Sequence, residues 1–273
     1  MEIQKIRAIC YSATGNTARV VTTIAEELAK LLQVPVEITR FTLPAEREKD
    51  YNFTDKELVV VGSPTYAGKL PNKILPDFQS KLHGNGALAV GVVTFGNRSY
   101  DNALAELCAV LGAGGFHTVA AGAFVAQHAF TDELAYGRPG WSDQFEMKTF
   151  AKRIADKVKR LTEMSKPVEV PGDAAAPYYV PKDTDGQPAK FLKAKPKTKL
   201  SRCNGCGACV RNCPMGAIDP KDPSKVPGTC IKCQACVRKC TKQAKYFDDP
   251  AFLSHVAMLE QNFTEPKDNE VFL

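Results

Sequence analysis

The stretch IRAICYSATGNTARVVTTIAEELAKLL, residues 6–32, places a strand, a polar loop and a helix in direct succession. Residues 6–11 form a short, mainly apolar run that predicts a first strand. The apolar positions from Thr17 to Leu32 follow the spacing of one helix face, which predicts a helix. The order of these elements indicates the first unit of an α/β fold.

The same alternation continues for about 130 residues beyond this stretch. The run LVVVG at 58–62 is short and continuously apolar, which is typical of a parallel strand buried on both faces. Five strands that alternate with helices predict an α/β protein with an open, doubly wound sheet. The other predicted strands cover 36–41, 87–94 and 117–125, and the other helices cover about 72 onward, 100–111 and 141 to about 164.

The cysteines are concentrated in a different part of the chain. Eight of the ten lie between Cys203 and Cys240. Such clustering in a chain with few other cysteines favours metal binding over disulfides. The segment contains a repeat, since ACVRNC at 208–213 recurs as ACVRKC at 235–240.

Each half of the repeat supplies one run of four cysteines, with the spacing Cx2Cx2Cx3C. Three cysteines at a spacing of three reach three corners of one iron–sulfur cubane, and the fourth ligand comes from elsewhere. Two zinc sites are the alternative, but zinc usually takes two CxxC pairs separated by a longer gap. Arg211 and Arg238 occupy equivalent positions in the repeat. Two interpretations are open: they guide an acidic partner, or they are solvated surface charges.

Residues 198–247 resemble the two-cluster bacterial ferredoxins, and the match includes CPMGAI at 213–218. The chain departs from that family at Thr241, where the family usually has a proline that is not a ligand. In the bacterial arrangement, the fourth cysteine of each run binds the other cluster. The resemblance therefore implies two [4Fe–4S] clusters, one held by Cys203, Cys206, Cys209 and Cys240, the other by Cys230, Cys233, Cys236 and Cys213.

Three polar loops follow predicted strands of the first domain: SATGNT (12–17), SPTYAG (63–68) and TFGNRSYD (94–101). The first loop places hydroxyl groups at a helix N-terminus, which is suited to a phosphate, although a similar loop is often only a helix cap. It lacks the lysine of a P-loop and the GxGxxG of dinucleotide folds. Tyr66 and Tyr100 each offer a flat face to an isoalloxazine ring.

Together these loops resemble those of flavodoxins, over about residues 4–160, which implies a sheet order of 2-1-3-4-5 and a bound FMN. The flavodoxin tryptophan is absent from the loops, because the only tryptophan is Trp141, so the residue that stacks on the ring is left open. The resemblance assigns the FMN phosphate to Ser12, Thr14, Gly15, Asn16 and Thr17. It assigns the ring to Pro64, Thr65, Tyr66, Ala67 and Gly68 on one side, and to Thr94, Gly96, Asn97, Tyr100 and Asp101 on the other.

The composition divides the chain into four parts. Residues 1–165 form the predicted FMN domain, 166–199 a linker with six prolines and seven lysines, 200–247 the cluster domain, and 248–273 a tail with a short helix at 251–259. Residues 151–250 carry 21 basic and 10 acidic side chains. A nucleic-acid site is one explanation, but metal-bound thiolates and a phosphate would offset much of this charge, so we expect none.

The whole pattern resembles the flavodoxin–ferredoxin fusion proteins of anaerobes. The resemblance implies electron transfer between the clusters and FMN, which would link one-electron carriers to a two-electron flavin and serve redox partner proteins. The alternative is an FMN-dependent reductase of a small acceptor, such as a quinone or a nitro compound. No membrane span or signal peptide is apparent. We expect a cytoplasmic protein, either a monomer or a head-to-tail homodimer.

Overall fold

The computed structural model describes residues 2–164 and 166–273. Met1 and Ser165, the end residues of the predicted first domain, lie outside the described residues. None of the described helices combines the length and the apolar character that crossing a bilayer requires.

Strands and helices alternate from Lys5 to Arg160. The main strands are β1 (Lys5–Cys10), β2 (Val36–Arg40), β4 (Glu57–Pro64), β6 (Leu88–Phe95) and β7 (His117–Val125). The helices between and after them are α1 (Asn16–Leu32), α2 (Leu75–Lys81), α3 (Ala103–Ala113) and α4 (Trp141–Arg160). Two short strands, β3 (Tyr51–Asn52) and β5 (Leu82–His83), pair with each other outside the main sheet.

The central sheet has the order β2-β1-β4-β6-β7-β10, where β10 covers Glu270–Phe272, and its first five strands are parallel. Those five strands have the predicted order 2-1-3-4-5. Alternate residues of a strand point to opposite faces of the sheet. Helices cover both faces, so both sets of side chains are buried. On β4, Val59 and Val61 pack into the core on the α3 side, whereas Leu58 and Val60 pack into the core under α1 and α4.

The sheet also has a sixth, antiparallel strand, which the prediction of five parallel strands did not include. Strand β10 (Glu270–Phe272) lies in the C-terminal tail and pairs antiparallel with β7, with Val271 opposite Gly122. Three residues at the end of an acidic tail carry too little alternation to predict a strand. Their pairing is also set by a contact nearly 150 residues away along the chain.

The remaining elements are short, apart from one helix. They are β8 (Lys197–Thr198), α5 (Ala208–Arg211), α6 (Ala235–Arg238), β9 (Lys245–Tyr246) and α7 (Pro250–Asn262). Strand β8 pairs antiparallel with β9, which joins the two ends of the cysteine segment. Helix α7 matches the predicted tail helix, and its Phe252 and Val256 pack with Ala194 in a small apolar cluster.

Candidate functional site

The loop after β1 presents backbone donors at the start of α1. Gly15 has a φ of 110°, a left-handed conformation that glycine adopts without strain, and it precedes the first helical residue. The Ser12 hydroxyl accepts a hydrogen bond from the Ala18 N–H at 3.0 Å. Within residues 2–164 and 166–273, no acceptor pairs with the backbone N–H groups of 14–17. These free donors at a helix N-terminus have the chemistry that an anionic group requires.

The loops after β4 and β6 touch each other, as the prediction of a shared site requires. A Cβ added at Gly68 would lie 2.3 Å from the Asp101 carboxylate, and the Asn102 N–H donates to the Gly68 carbonyl at 2.9 Å. The first loop is joined in turn, because the Thr17 and Thr94 hydroxyls lie 2.7 Å apart. The three predicted loops therefore meet at one edge of the sheet, where the parallel strands end.

The Thr65 hydroxyl near this edge is buried without a hydrogen-bond partner among the described residues. Because buried polar groups are normally paired, this hydroxyl fits a site that a polar ligand such as a flavin completes. Tyr11 lies beside it, and its ring packs edge-to-face on the Tyr66 ring, with centroids 6.4 Å apart.

The loop after β6 is held by the C-terminal tail. The Asn97 side chain donates to the carbonyls of Phe263 and Glu265, at 2.6 and 3.0 Å, and accepts from the Lys267 N–H at 3.2 Å. The Tyr100 hydroxyl donates to Glu270 at 2.7 Å, and burial together with this carboxylate raises the pKa of Tyr100. Both side chains, predicted to contact the flavin ring, are thus bonded to the tail.

The Tyr100 ring itself packs in the protein core. It is only 8% exposed and lies against Phe95, with centroids 5.4 Å apart. Gly96 is closely packed on one side, since a Cβ there would lie 2.3 Å from the His128 ring. Tyr66, the other tyrosine predicted to face the ring, is only partly buried and packs against the outside of the core. It is therefore the more accessible of the two.

Four cysteines line one cavity in the second half of the chain: Cys213, Cys230, Cys233 and Cys236. They come from both cysteine runs, in the crossed combination that the resemblance to two-cluster ferredoxins implies. Burial raises the pKa of the Cys236 thiol to about 12 and also raises that of Cys233. Backbone N–H groups point at the sulfur atoms, with the Ala217 N–H 3.3 Å from the Cys213 Sγ. Burial alone favours the neutral thiols, so a metal centre would be needed to stabilise them as thiolates. Sulfur ligands that accept from N–H donors are the environment that an iron–sulfur cluster uses.

The other four predicted ligands lie nearer the surface, and Cys206 is exposed. Burial raises the pKa of the Cys209 thiol, and the neighbouring Cys203 thiol adds to the effect. The Cys240 Sγ accepts from the Ala244 N–H at 3.3 Å, the counterpart of the Cys213 contact 27 residues earlier. In the part of the chain that the structure describes, no group of three or more His, Cys, Asp or Glu side chains could hold a single metal ion.

The four-cysteine cavity borders the loops of the α/β domain. Ala235 is buried in the same apolar core as Tyr11, and Cys233 and Tyr66 pack against that core. Burial raises the pKa of Tyr66 well above its usual value, and the nearby Tyr11 hydroxyl and Cys233 thiol add to this. The predicted flavin loop and one predicted cluster site are therefore neighbours within a single chain.

Two arginines fasten the cysteine segment to the α/β domain. The Arg47 guanidinium donates to the Pro214 carbonyl at 2.8 Å. Arg238 donates to the carbonyls of His128, Ala129 and Thr131 and pairs with Asp132. Sequence reasoning assigned no role to Arg47 and did not distinguish Arg238 from Arg211. The repeat gives both the same local sequence, so no signal in the chain separates them.

The segment between the two parts runs across the loop edge. Its Tyr179 N–H donates to the Ala67 carbonyl at 2.9 Å, and the Arg98 guanidinium lies 4.1 Å from the centre of the Tyr179 ring. The Lys69 ammonium donates to the carbonyls of Ala174 and Ala176. The segment that composition predicts to be a linker thus contacts two of the three loops, with a hydrogen bond to Ala67 and a cation–π contact with Arg98.

Residues 202–245 match the family of 4Fe-4S dicluster domains. No curated protein matches the chain. Among solved structures, the rubredoxin oxygen:oxidoreductase of Desulfovibrio gigas is 17% identical, with a TM-score of 0.41 over 58% of this chain, and the chain spans only 37% of that protein. A flavodoxin from the domain Archaea is 17% identical, with a TM-score of 0.38, over 57% of this chain and 100% of its own.

The flavodoxin of Megasphaera elsdenii is 14% identical, with a TM-score of 0.36, over 54% of this chain and 98% of its own. With its sheet order and its matched cysteine segment, the chain combines a flavodoxin-like α/β fold with a 4Fe-4S dicluster domain.

Proposed function

We propose that this protein transfers electrons between two [4Fe–4S] clusters and an FMN, and so links one-electron carriers to a two-electron flavin. The observation that carries the proposal is the position of the four-cysteine cavity, whose Cys233 packs against the same core as Tyr66. An electron donor and an electron acceptor that are held side by side in one chain can react without an encounter between two molecules. The predicted parts 1–165, 166–199, 200–247 and 248–273 are the FMN domain, linker, cluster domain and tail.

The loop after β1 would hold the FMN phosphate. Its free N–H groups, at 14–17, and the Ser12 and Thr14 hydroxyls supply donors without a lysine or arginine. The loops at 64–68 and 96–101 would flank the ring, and the unpaired hydroxyl of Thr65 provides a polar atom nearby. A bound flavin accepts electrons singly or in pairs, whereas each cluster passes one at a time.

The cysteines divide into two ligand sets. The inner set is Cys213, Cys230, Cys233 and Cys236, which share the cavity. The outer set is Cys203, Cys206, Cys209 and Cys240. The soft thiolate donors, the backbone N–H groups at Cys213 and Cys240, and the family match support iron–sulfur chemistry in both.

The arrangement within one chain also supports a monomer as the working unit. Arg47 and Arg238 hold the cysteine segment on the α/β domain, and both contacts are intramolecular. A head-to-tail dimer is therefore not needed to bring the two sites together.

The proposal is tested by the cofactor content of protein purified without oxygen. We expect about eight iron, eight sulfide and one FMN per chain, and a reductive titration in which cluster and flavin bands both respond. A Cys108→Ala variant, which changes a cysteine outside both sets, should keep the full content. Zinc in place of iron, or iron without flavin, would overturn the proposal.

A second candidate is a reductase of a small acceptor, and one observation favours it. The loop edge is covered by residues 174–179 and 263–267, which bond to Lys69, Ala67 and Asn97. A covered flavin suits a small molecule better than a protein surface. Steady-state consumption of a quinone or a nitro compound by the reduced protein supports this reductase, whereas no turnover beyond one equivalent supports the carrier.

A further inference from the structure

The two predicted ligand sets differ in exposure at one cysteine each, since Cys236 is buried and Cys206 is exposed, whereas the other six are intermediate. The inner set lines a cavity within the cysteine segment, and its Cys236 is 8% exposed. The outer set reaches the surface at Cys206, which is exposed. Leu200, three residues before the first cysteine of that set, is 72% exposed. An outside electron carrier therefore has access at the outer set.

The surface around the outer set is strongly cationic. Residues 186–247 contain fourteen Lys and Arg but only two acidic residues, Asp219 and Asp222. Two clusters with a net charge of about −2 each would leave this segment positive. Such an excess attracts acidic partners over distances set by the salt concentration.

Nine of these cations are exposed and pair with no carboxylate of the described residues, and five of the nine lie within four residues of an outer cysteine in the sequence. We call these five, with Leu200 and Cys206, the cluster-edge patch. The five are Lys199, Arg202, Arg211, Lys239 and Lys242.

Contacts along the backbone tie the patch to the outer cysteines. The Arg211 side chain donates to the Cys206 carbonyl at 2.9 Å. The Cys203 N–H donates to the Lys199 carbonyl at 3.2 Å, and the Lys199 N–H donates to the Ala244 carbonyl at 2.8 Å. These bonds place the Lys199 backbone between the first cysteine run and the strand after the second.

We propose that the cluster-edge patch is the docking surface for a small, acidic one-electron carrier protein. The proposal rests on the proposed function, because it needs a cluster at the outer set. The patch combines cations that have no carboxylate partner with the apolar Leu200 and the exposed Cys206. Such a surface suits a brief encounter, because opposite charges steer the partner to it and a small contact area lets the partner dissociate quickly.

A nucleic acid is the other polyanion that such a charge attracts. The observations favour the protein carrier, because the cations neighbour the outer cysteines in the sequence and Arg211 contacts Cys206, the most exposed of the predicted ligands. Single-stranded nucleic acids instead use grooves lined by aromatic residues. Nucleic-acid binding is therefore an outcome of the test and not the proposal.

The test compares two charge-reversal variants of the loaded, full-length protein. The patch variant carries Lys199→Glu, Arg202→Glu and Lys242→Glu. The control variant changes the net charge equally on an exposed face of α4, with Lys148→Glu, Lys152→Glu and Arg153→Glu. The probe is an oxidised plant-type [2Fe–2S] ferredoxin, an acidic protein, whose affinity is measured by titration calorimetry at several salt concentrations.

At low salt we expect the patch variant to bind the ferredoxin at least about tenfold more weakly than the unaltered protein, and the control to change less than about twofold. The difference should shrink as salt increases. Reduction of the clusters by the same ferredoxin should slow in parallel, while reduction by a small neutral photoreductant stays unchanged.

Equal weakening in both variants, or no weakening in the patch variant, would overturn the docking surface. Tighter binding of a mixed-sequence single-stranded oligonucleotide, lost in the patch variant, would also overturn it in favour of nucleic acid. Failure of the proposed function looks different: the ferredoxin still binds at the patch, but electrons given to the clusters do not reach a flavin.

Discussion

The guanidinium of Arg47 donates a hydrogen bond of 2.8 Å to the carbonyl of Pro214, the residue directly after the predicted ligand Cys213. Arg47 is buried, and it also pairs with Asp77 at 2.6 Å. Through this one side chain, the turn after β2 holds the backbone beside the inner ligand set. The contact joins parts of the chain that are 167 residues apart.

The first prediction concerns this contact. Arg47→Met should leave the Pro214 carbonyl and the Asp77 carboxylate without their donor, at a cost of about 2–4 kcal/mol. We expect a lower urea midpoint for the loss of visible cluster absorption, measured without oxygen. Arg40→Met, at an exposed arginine of β2, is the matched control and should leave the midpoint unchanged. Equal midpoints for both variants would show that the Arg47 contact contributes nothing to holding the segment.

The second prediction tests the crossed ligand sets. Cys213→Ala should remove the inner cluster, because Cys213 lines the cavity with Cys230, Cys233 and Cys236. Iron content should fall from about eight to about four per chain. The electron paramagnetic resonance spectrum of the reduced protein should match that of Cys233→Ala. Cys240→Ala should instead match Cys206→Ala. If Cys213→Ala matches Cys206→Ala, each run binds its own cluster and the crossed assignment is wrong.

The third prediction concerns the phosphate loop. Thr14→Glu should place a carboxylate beside the free N–H groups at 14–17, where it competes with and repels a phosphate. The expected loss is on the order of 2–5 kcal/mol, so the FMN dissociation constant should rise by about 30-fold or more. Iron content should stay the same. Flavin fluorescence during titration of the flavin-free protein measures the affinity.

The same substitution on an exposed face of α4, Thr149→Glu, provides the control for this titration. It adds one negative charge far from the loop and should bind FMN as the unaltered protein does. Normal affinity in Thr14→Glu would place the phosphate elsewhere.

The α/β part of the fold is predictable because its signals are local. The apolar run at 58–62 lies within β4 (Glu57–Pro64), and the helical spacing from Thr17 lies within α1. A strand buried on both faces is continuously apolar, and a helix buried on one face repeats its apolar residues at helical spacing. Each can therefore be recognised from its own sequence. The cysteine runs are equally local, since three ligands lie within seven residues.

Contacts between distant segments are the part that sequence does not predict. Arg211 and Arg238 occupy equivalent positions of the repeat, yet Arg238 bonds to the loop after β7 and Arg211 stays at the surface. The bonding of Asn97 to the tail, and the pairing of β10 with β7, likewise depend on how remote segments meet. Neither the composition of the chain nor the spacing of its motifs indicates such contacts.

The central claim is that electrons pass between the clusters and the flavin inside one chain. A neutral photoreductant can reduce the clusters in a flash, and absorption then follows the flavin. We predict that the flavin is reduced at a rate that does not change with protein concentration, because the cysteine segment is already bonded to the α/β domain. Cys233→Ala should abolish this phase. A rate that rises in proportion to concentration would contradict the account and leave two carriers that meet only between molecules.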